Sequence, residues 1–118
     1  MISNGIDIED ISRFQNKTLE NDSRFLNRIY TKKELDYCFS FSNPASHLAA
    51  RFCAKEATVK AFSNIYDGLI PYSKIEILKN KNGSVYVNML IDELKKYNVS
   101  LSISHDKTKA IANVIIEY

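Results

Sequence analysis

The chain has 118 residues, 45% of them hydrophobic, with a net charge of +2, enough for one globular domain over residues 1–118 and too few for two. It has no long apolar run and no signal-peptide pattern, and its two cysteines, Cys38 and Cys53, match no metal-ligand spacing; it therefore reads as a cytoplasmic protein with reduced thiols and no membrane segment. The charge is uneven: residues 11–33 hold six basic and two acidic side chains, net +4, which suits an acidic partner, although a solvated basic face is the commoner outcome.

In chain order, Ile2, Ile6 and Ile8 alternate with Ser3, Gly5, Asp7 and Glu9, which predicts a strand with a buried isoleucine face and Asp7 pointing away from it. A short helix is expected from Asp10 or Ile11, then a polar loop over residues 16–22. Ser23 caps a helix carrying Arg24, Phe25, Leu26, Arg28 and Ile29. Thr31, with Glu34 three later, forms a capping box for the next helix through Leu35, Cys38 and Phe39. Arg24 and Arg28 stand one turn apart and follow Arg13, a row of guanidinium groups suited to carboxylates or phosphates.

Ala45 to Phe62 reads as the central helix. Asn43 caps it, Pro44 suits its first position, and its interior has six alanines and no glycine. At about 100° per residue, Glu56 and Lys60 fall inside the apolar arc of Leu48, Phe52, Ala49 and Cys53, whereas His47, Arg51, Lys55 and Thr58 form the expected solvent face. A carboxylate and an ammonium on a buried arc each need a partner. One reading pairs them with each other, Glu first at the i,i+4 spacing, for roughly 0.2–0.5 kcal/mol. The other has both facing a cleft, Glu56 holding a hard cation and Lys60 a phosphate.

Residues 64–72, with Gly68 and Pro71, read as a loop. Lys74 to Lys79 and Val85 to Asn88 flank Asn80-Lys81-Asn82-Gly83, a hairpin signal. Leu90, Ile91, Leu94 and Tyr97 recur at helical spacing. Val99, Leu101 and Ile103 alternate with three serines, and after a polar turn over residues 105–109 a last apolar strand runs to Tyr118. Two hairpins among alternating helices and strands make the class α+β, with a largely antiparallel sheet packed against the long central helix.

The chain has no Walker-type loop, no GxGxxG and no HExxH, and Ser104-His105 lacks the strand-turn-helix elbow of a serine nucleophile. A noncatalytic basic domain that binds an acidic protein or nucleic acid through Arg13, Arg24, Arg28 and Lys33 is the rival reading. It is weakened by the low net charge and by tyrosines and phenylalanines that mostly occupy core-periodic positions.

Three stretches carry a resemblance. Gly5-Ile6-Asp7-Ile8 with Ile11 and Arg13, then Arg51-Phe52-Cys53-Ala54-Lys55-Glu56-Ala57 with Lys60-Ala61, then Ser102-Ile103-Ser104-His105 resemble the signature blocks of the holo-acyl-carrier-protein synthases, small 4′-phosphopantetheinyl transferases. The resemblance implies their fold. It also implies transfer of the 4′-phosphopantetheine arm of coenzyme A to a serine of an apo acyl carrier protein, Mg²⁺-dependent, with release of adenosine 3′,5′-bisphosphate, by a homotrimer with active sites between subunits. It would make Asp7 and Glu56 the Mg²⁺ ligands and set Lys60 beside the pyrophosphate. Arg51, Ser104 and His105 would lie near the nucleotide phosphates, Gly83 on the adenine side, and Arg13, Arg24 and Arg28 on the face meeting the carrier. Nucleic acid and membrane are not expected partners. Ser3, Ala50 and Ser63 stand where the family usually has glycine, and Ser84-Val85 where it has Lys-Pro.

Overall fold

In the computed structural model, which describes residues 1–118, the chain runs β1 (Ile2–Asp10), a 3₁₀ turn (Ile11–Phe14), α1 (Ser23–Ile29), α2 (Lys32–Cys38), α3 (Ala45–Phe62), a 3₁₀ turn (Tyr72–Lys74), β2 (Ile75–Lys79), β3 (Val85–Met89), a 3₁₀ turn (Asp92–Leu94), β4 (Asn98–His105) and β5 (Lys109–Glu117). The α+β class stands, and every strand pair is antiparallel. The strands form two sheets, however: a three-stranded one ordered β1-β5-β4 and the hairpin β2-β3. The hairpin turns at Gly83, where φ is +92°, a left-handed conformation that glycine adopts without steric cost.

Helix α3 has the predicted bounds. Pro44 takes the cap position, one residue before the place expected for it, and Asn43 Oδ1 accepts from the Ala45 amide at 3.4 Å. At α2 the capping box is complete, Thr31 Oγ1 accepting from Glu34 N and Glu34 accepting from Thr31 N. The run Leu90–Tyr97, read at helical spacing, holds only the single turn Asp92–Leu94. Only eight residues separate β3 from β4, and Leu94 alone among its apolar residues is fully buried.

The orientation of β1 is the reverse of the expected one. Ser3 and Gly5 are buried, whereas Ile2, Ile6 and Ile8 are 69%, 54% and 59% exposed. The reason lies at Gly5, where a Cβ would stand 2.6 Å from Ala61 N and closer still to Ala57 O. Small residues thus bring the strand backbone onto the backbone of α3, and the larger isoleucines must take the other face. Ser3 Oγ donates to Ala61 O at 2.5 Å, and the Cys53 thiol donates to Asp7 O at 3.0 Å. In register, Asp7 lies opposite Ala112, which lies opposite Ile103. Ala110, Ala112, Val114 and Ile116 of β5 complete the buried layer under α3.

The expected solvent face of α3 is also corrected. Arg51, Lys55 and Thr58 are buried, because α2, β2 and the Tyr72–Lys74 turn cover that side; His47 is half-buried. Thr58 Oγ1 returns its proton to Ala54 O at 2.7 Å. Lys55 Nζ donates to Glu34 at 2.7 Å, to Tyr72 O at 2.9 Å and to Ile75 O. Glu34 also accepts from Ile77 N at 2.9 Å, so one fully buried ion pair ties α2, α3 and β2 together. Burial pushes the Lys55 pKa down, opposed by the Glu34 charge. Cys38 and Cys53 are free and buried.

Candidate active site

Glu56 and Lys60 do not pair with each other. Lys60 Nζ donates instead to Asp7 Oδ1 at 3.1 Å and to Ile6 O at 3.0 Å, and Glu56 Oε1 accepts from the Tyr72 hydroxyl. Both residues lie at the rim, Glu56 half-buried and Lys60 exposed. The crossing of β1 over α3 at Gly5 makes this possible: two residues further on, the Asp7 backbone rests on Cys53 and its carboxylate meets the Lys60 side of the helix. Asp7 thus points away from the isoleucines, as expected, but toward the helix.

The second oxygen of Asp7, Oδ2, is buried and has no hydrogen-bond partner. An orphaned carboxylate oxygen is costly unless a cation or donor completes it. Glu9, on the same face of β1, adds negative charge and pairs with Arg13 at 2.8 Å. Burial, then the neighbouring Asp7 carboxylate, push the Glu9 pKa up to about 7 against the pull of Arg13. The hydrogen bond to Glu56 chiefly, with burial and the charges of Glu56, Asp7 and Glu9, pushes the Tyr72 phenol up to about 12. Asp7, Glu9 and Glu56 therefore all act on the Tyr72 hydroxyl. No three His, Cys, Asp or Glu side chains are close enough to enclose a metal by themselves.

A positive region lies at the other half of α3. The buried Arg51 guanidinium lies 4.1 Å from the Tyr37 ring centroid with Nε unpaired, and Lys79 Nζ donates to the Tyr37 hydroxyl at 3.3 Å. The His47 ring stacks on Phe41 at 3.8 Å. Burial, then the charges of Arg51, His105 and Lys79, hold the His47 imidazole below its usual pKa. His105 is exposed, and with Ile11, Gln15, Asn43, Ser46, Asp106 and Lys107 it borders an open recess of about 510 Å³. Gly83 sits at the exposed hairpin tip, four residues from Lys79. Ser104 is exposed on the outer sheet face opposite Ile111.

The fold therefore gathers Asp7, Glu56 and Lys60 at one end of α3, and Arg51 and His105 with Lys79 and His47 near its start. It does not bring the two groups together within one chain: Arg51 and Glu56 are five residues apart, about 140° around the helix. Arg24 and Arg28 are exposed on α1 and make no ion pair, while Arg13 lies over the Phe14 and Phe52 rings as well as on Glu9. Helix α1 packs against the Tyr72–Lys74 turn, whose Tyr72 hydroxyl reaches Glu56. Tyr72, Glu9 and Lys79 were missed by pattern reading. Their partners are distant in sequence, and the only local signal was Glu9 two residues from Asp7 on a strand.

Comparison with known proteins points the same way. The model of the 4′-phosphopantetheinyl transferase superfamily matches residues 3–115. The holo-[acyl-carrier-protein] synthase of Geotalea daltonii is 36% identical over 119 residues, covering 96% of this chain and 95% of its own. That of Chlamydia caviae is 42% identical over 110 residues, covering 92% and 90%. Among solved structures, the Chronobacterium ammoniagenes ACPS–CoA complex superposes with a TM-score of 0.81 at 27% identity, covering 100% of this chain and 98% of that one. The Helicobacter pylori holo-[acyl-carrier-protein] synthase in complex with coenzyme A gives 0.80 at 28%, covering 99% and 100%. With a family model spanning nearly its whole length and relatives this similar over nearly their whole length, the chain belongs to the 4′-phosphopantetheinyl transferase superfamily, alongside the holo-[acyl-carrier-protein] synthases.

Proposed function

We infer that residues 1–118 act as one transferase unit that moves the 4′-phosphopantetheine arm of coenzyme A onto a serine hydroxyl of an apo acyl carrier protein, leaving adenosine 3′,5′-bisphosphate. The observation that carries the chemistry is the orphaned, buried Asp7 Oδ2 beside an exposed lysine and a half-buried Glu56 on a second element. These residues fit Mg²⁺, a hard cation that takes one or two carboxylates and fills the rest of its shell with water and phosphate oxygens; the lack of a third protein ligand agrees with that choice. Asp7 and Glu56 would hold it. When bound, Mg²⁺ supplies Lewis-acid polarisation of the phosphate oxygens.

The remaining roles belong to the chain's own side chains. Lys60, 52% exposed while it holds Asp7, has the reach to place its ammonium on the pyrophosphate and offset the charge developing on the leaving phosphate. Tyr72 and Phe52 wall the site. The unpaired Arg24 and Arg28 offer an acidic carrier a docking face, and Arg13 links that face to the site. Arg51, His105 and Ser104, with Lys79 and His47, suit the nucleotide phosphates, with Gly83 on the adenine side.

Because one chain keeps the cationic group apart from the carboxylates, we propose that a homotrimer joins them, the nucleotide contacts of one copy meeting the Asp7–Glu56 pair of the next. The outer sheet face supports this: beyond β1, Ile111 and Ile115 are each 40% exposed, and an apolar patch of this kind marks an interaction surface. Free, buried thiols agree with a cytoplasmic setting. The deciding experiment is mass spectrometry of an apo carrier incubated with the protein, coenzyme A and Mg²⁺, with EDTA as control. A gain of one phosphopantetheine that EDTA abolishes is the expected result; no gain, or a gain indifferent to EDTA, refutes the inference or its metal dependence respectively.

A further inference from the structure

Tyr72 is held at three points, all on one turn of α3. Its ring packs on Phe52 with centroids 5.3 Å apart at 62°. Its carbonyl accepts from Lys55 Nζ at 2.9 Å, an ammonium itself fixed by Glu34 at 2.7 Å. Its hydroxyl donates to Glu56 Oε1. Pro71 precedes it with φ at −63°, which stiffens the approach of the chain. The side chain thus arrives at Glu56 from a separate element with its ring and backbone already placed, and Glu56 has no other side-chain donor.

The result repeats what happens at Asp7, where Lys60 takes Oδ1 and Oδ2 stays free. Each carboxylate has one oxygen engaged by the chain and offers one. We propose that Tyr72 is a positioning residue that commits Glu56 to a single-oxygen contact with the divalent cation and thereby makes the site prefer Mg²⁺ over Ca²⁺. Mg²⁺ demands near-octahedral geometry and few protein ligands, whereas Ca²⁺ gathers six to eight oxygens and readily takes both oxygens of one carboxylate. A phenol that occupies Oε1 and stops the carboxylate from rotating opposes the second mode. The inference rests on Glu56 being a metal ligand, as proposed above.

The test uses the full chain with coenzyme A and titrates Mg²⁺ and Ca²⁺ separately by calorimetry, comparing parent, Tyr72→Phe and Glu56→Gln, with thermal midpoints measured in EDTA. Tyr72→Phe keeps the ring on Phe52 and the carbonyl on Lys55 and loses only the hydroxyl. Loss of a hydrogen-bond partner to a metal ligand typically weakens metal binding about 10–100-fold. We expect Mg²⁺ affinity to fall at least about tenfold on that basis, Ca²⁺ affinity to fall less or to rise, and the metal-free midpoint to stay at the parental value. Turnover at saturating Mg²⁺ should recover more than the half-saturating Mg²⁺ concentration does. Parental affinities for both ions in Tyr72→Phe, with binding lost in Glu56→Gln, overturn the Tyr72 role alone. An equal fall for both ions with a lowered metal-free midpoint makes Tyr72 a structural prop and also overturns it. Unchanged Mg²⁺ binding in Glu56→Gln removes Glu56 from the metal site, and both inferences fall together.

Discussion

Replacing Lys55 by methionine removes the cation from the one fully buried ion pair and leaves its surroundings in place. Glu34 then keeps its bonds from Thr31 N and Ile77 N but loses the ammonium at 2.7 Å, and the carbonyls of Tyr72 and Ile75 lose a donor. Removing one partner of a buried pair costs about 3–5 kcal/mol, mostly as the penalty of an uncompensated charge. With an unfolding entropy of about 2.1 cal/mol/K per residue, or about 0.25 kcal/mol/K for this chain, that loss lowers the thermal midpoint by about 12–20 °C. The double variant Lys55→Met with Glu34→Leu removes the stranded charge, and should recover about 1 kcal/mol or more of the loss despite carrying a second change. Urea unfolding of parent, both singles and the double gives the cycle directly. A loss under about 1 kcal/mol for Lys55→Met, or simple additivity in the double, would refute the assignment of this pair as the tie between α2, α3 and β2.

Gly5→Ala should fail to give a folded, cooperative unfolding transition, since its Cβ would meet Ala61 N at 2.6 Å and Ala57 O more closely; circular dichroism melts report this. Lys60→Met should slow single-turnover transfer on the order of 10²–10³-fold while the melting temperature holds, because its pair with Asp7 is half exposed on the lysine side; a parental rate with a lower midpoint would make Lys60 structural. Arg24→Glu or Arg28→Glu should raise KM for the carrier far more than KM for coenzyme A, as salt should too; a rise in the coenzyme A value instead would move these arginines to the nucleotide site. For Glu9, the folded carboxyl keeps its proton to about pH 7 while the unfolded one releases it near 4.5, so the unfolded chain binds fewer protons between these values and stability falls as pH rises through that window. In EDTA, Glu9→Gln should flatten that fall between pH 5 and 7 in thermal-midpoint measurements.

Local signals in the sequence located the elements well, for reasons visible in the structure. The alanine-rich run without glycine is a helix at the expected bounds, the Thr31-Glu34 box closes as drawn, and Asn82-Gly83 turns the hairpin. Pattern alone failed where a second element decides which face is inside. Isoleucines alternating along β1 looked like a core, yet the core needed the small residues there, because α3 comes to backbone contact at Gly5. Lys55 looked solvated on the helical wheel, yet Glu34, twenty-one residues away, made its burial tolerable. At the candidate site, the motif blocks single out Asp7, Glu56 and Lys60, but they do not give the partner of Lys60, which is Asp7: a helix read alone offers Glu56 at one turn's distance and hides a strand that crosses it. Tyr72 gave no sequence signal, since its meaning lies wholly in three contacts made across the fold.

The two free cysteines provide built-in clocks. Burial pushes both thiols up to about 12, so near neutral pH the native protein exposes almost no reactive thiolate. Alkylation of either one must wait for the structure around it to open. Cys38 lies on α2, on the Lys55 side of the central helix, and Cys53 lies on α3 beneath β1, hydrogen-bonded to Asp7 O. Rates of labelling at the two positions, resolved by peptide mass spectrometry, would therefore time the lifting of the helical layer and the peeling of the first strand independently. Equal rates would mean that the two halves open as one unit, and a faster Cys53 would mean that the strand carrying Asp7 can part from α3 while the rest of the molecule stays closed.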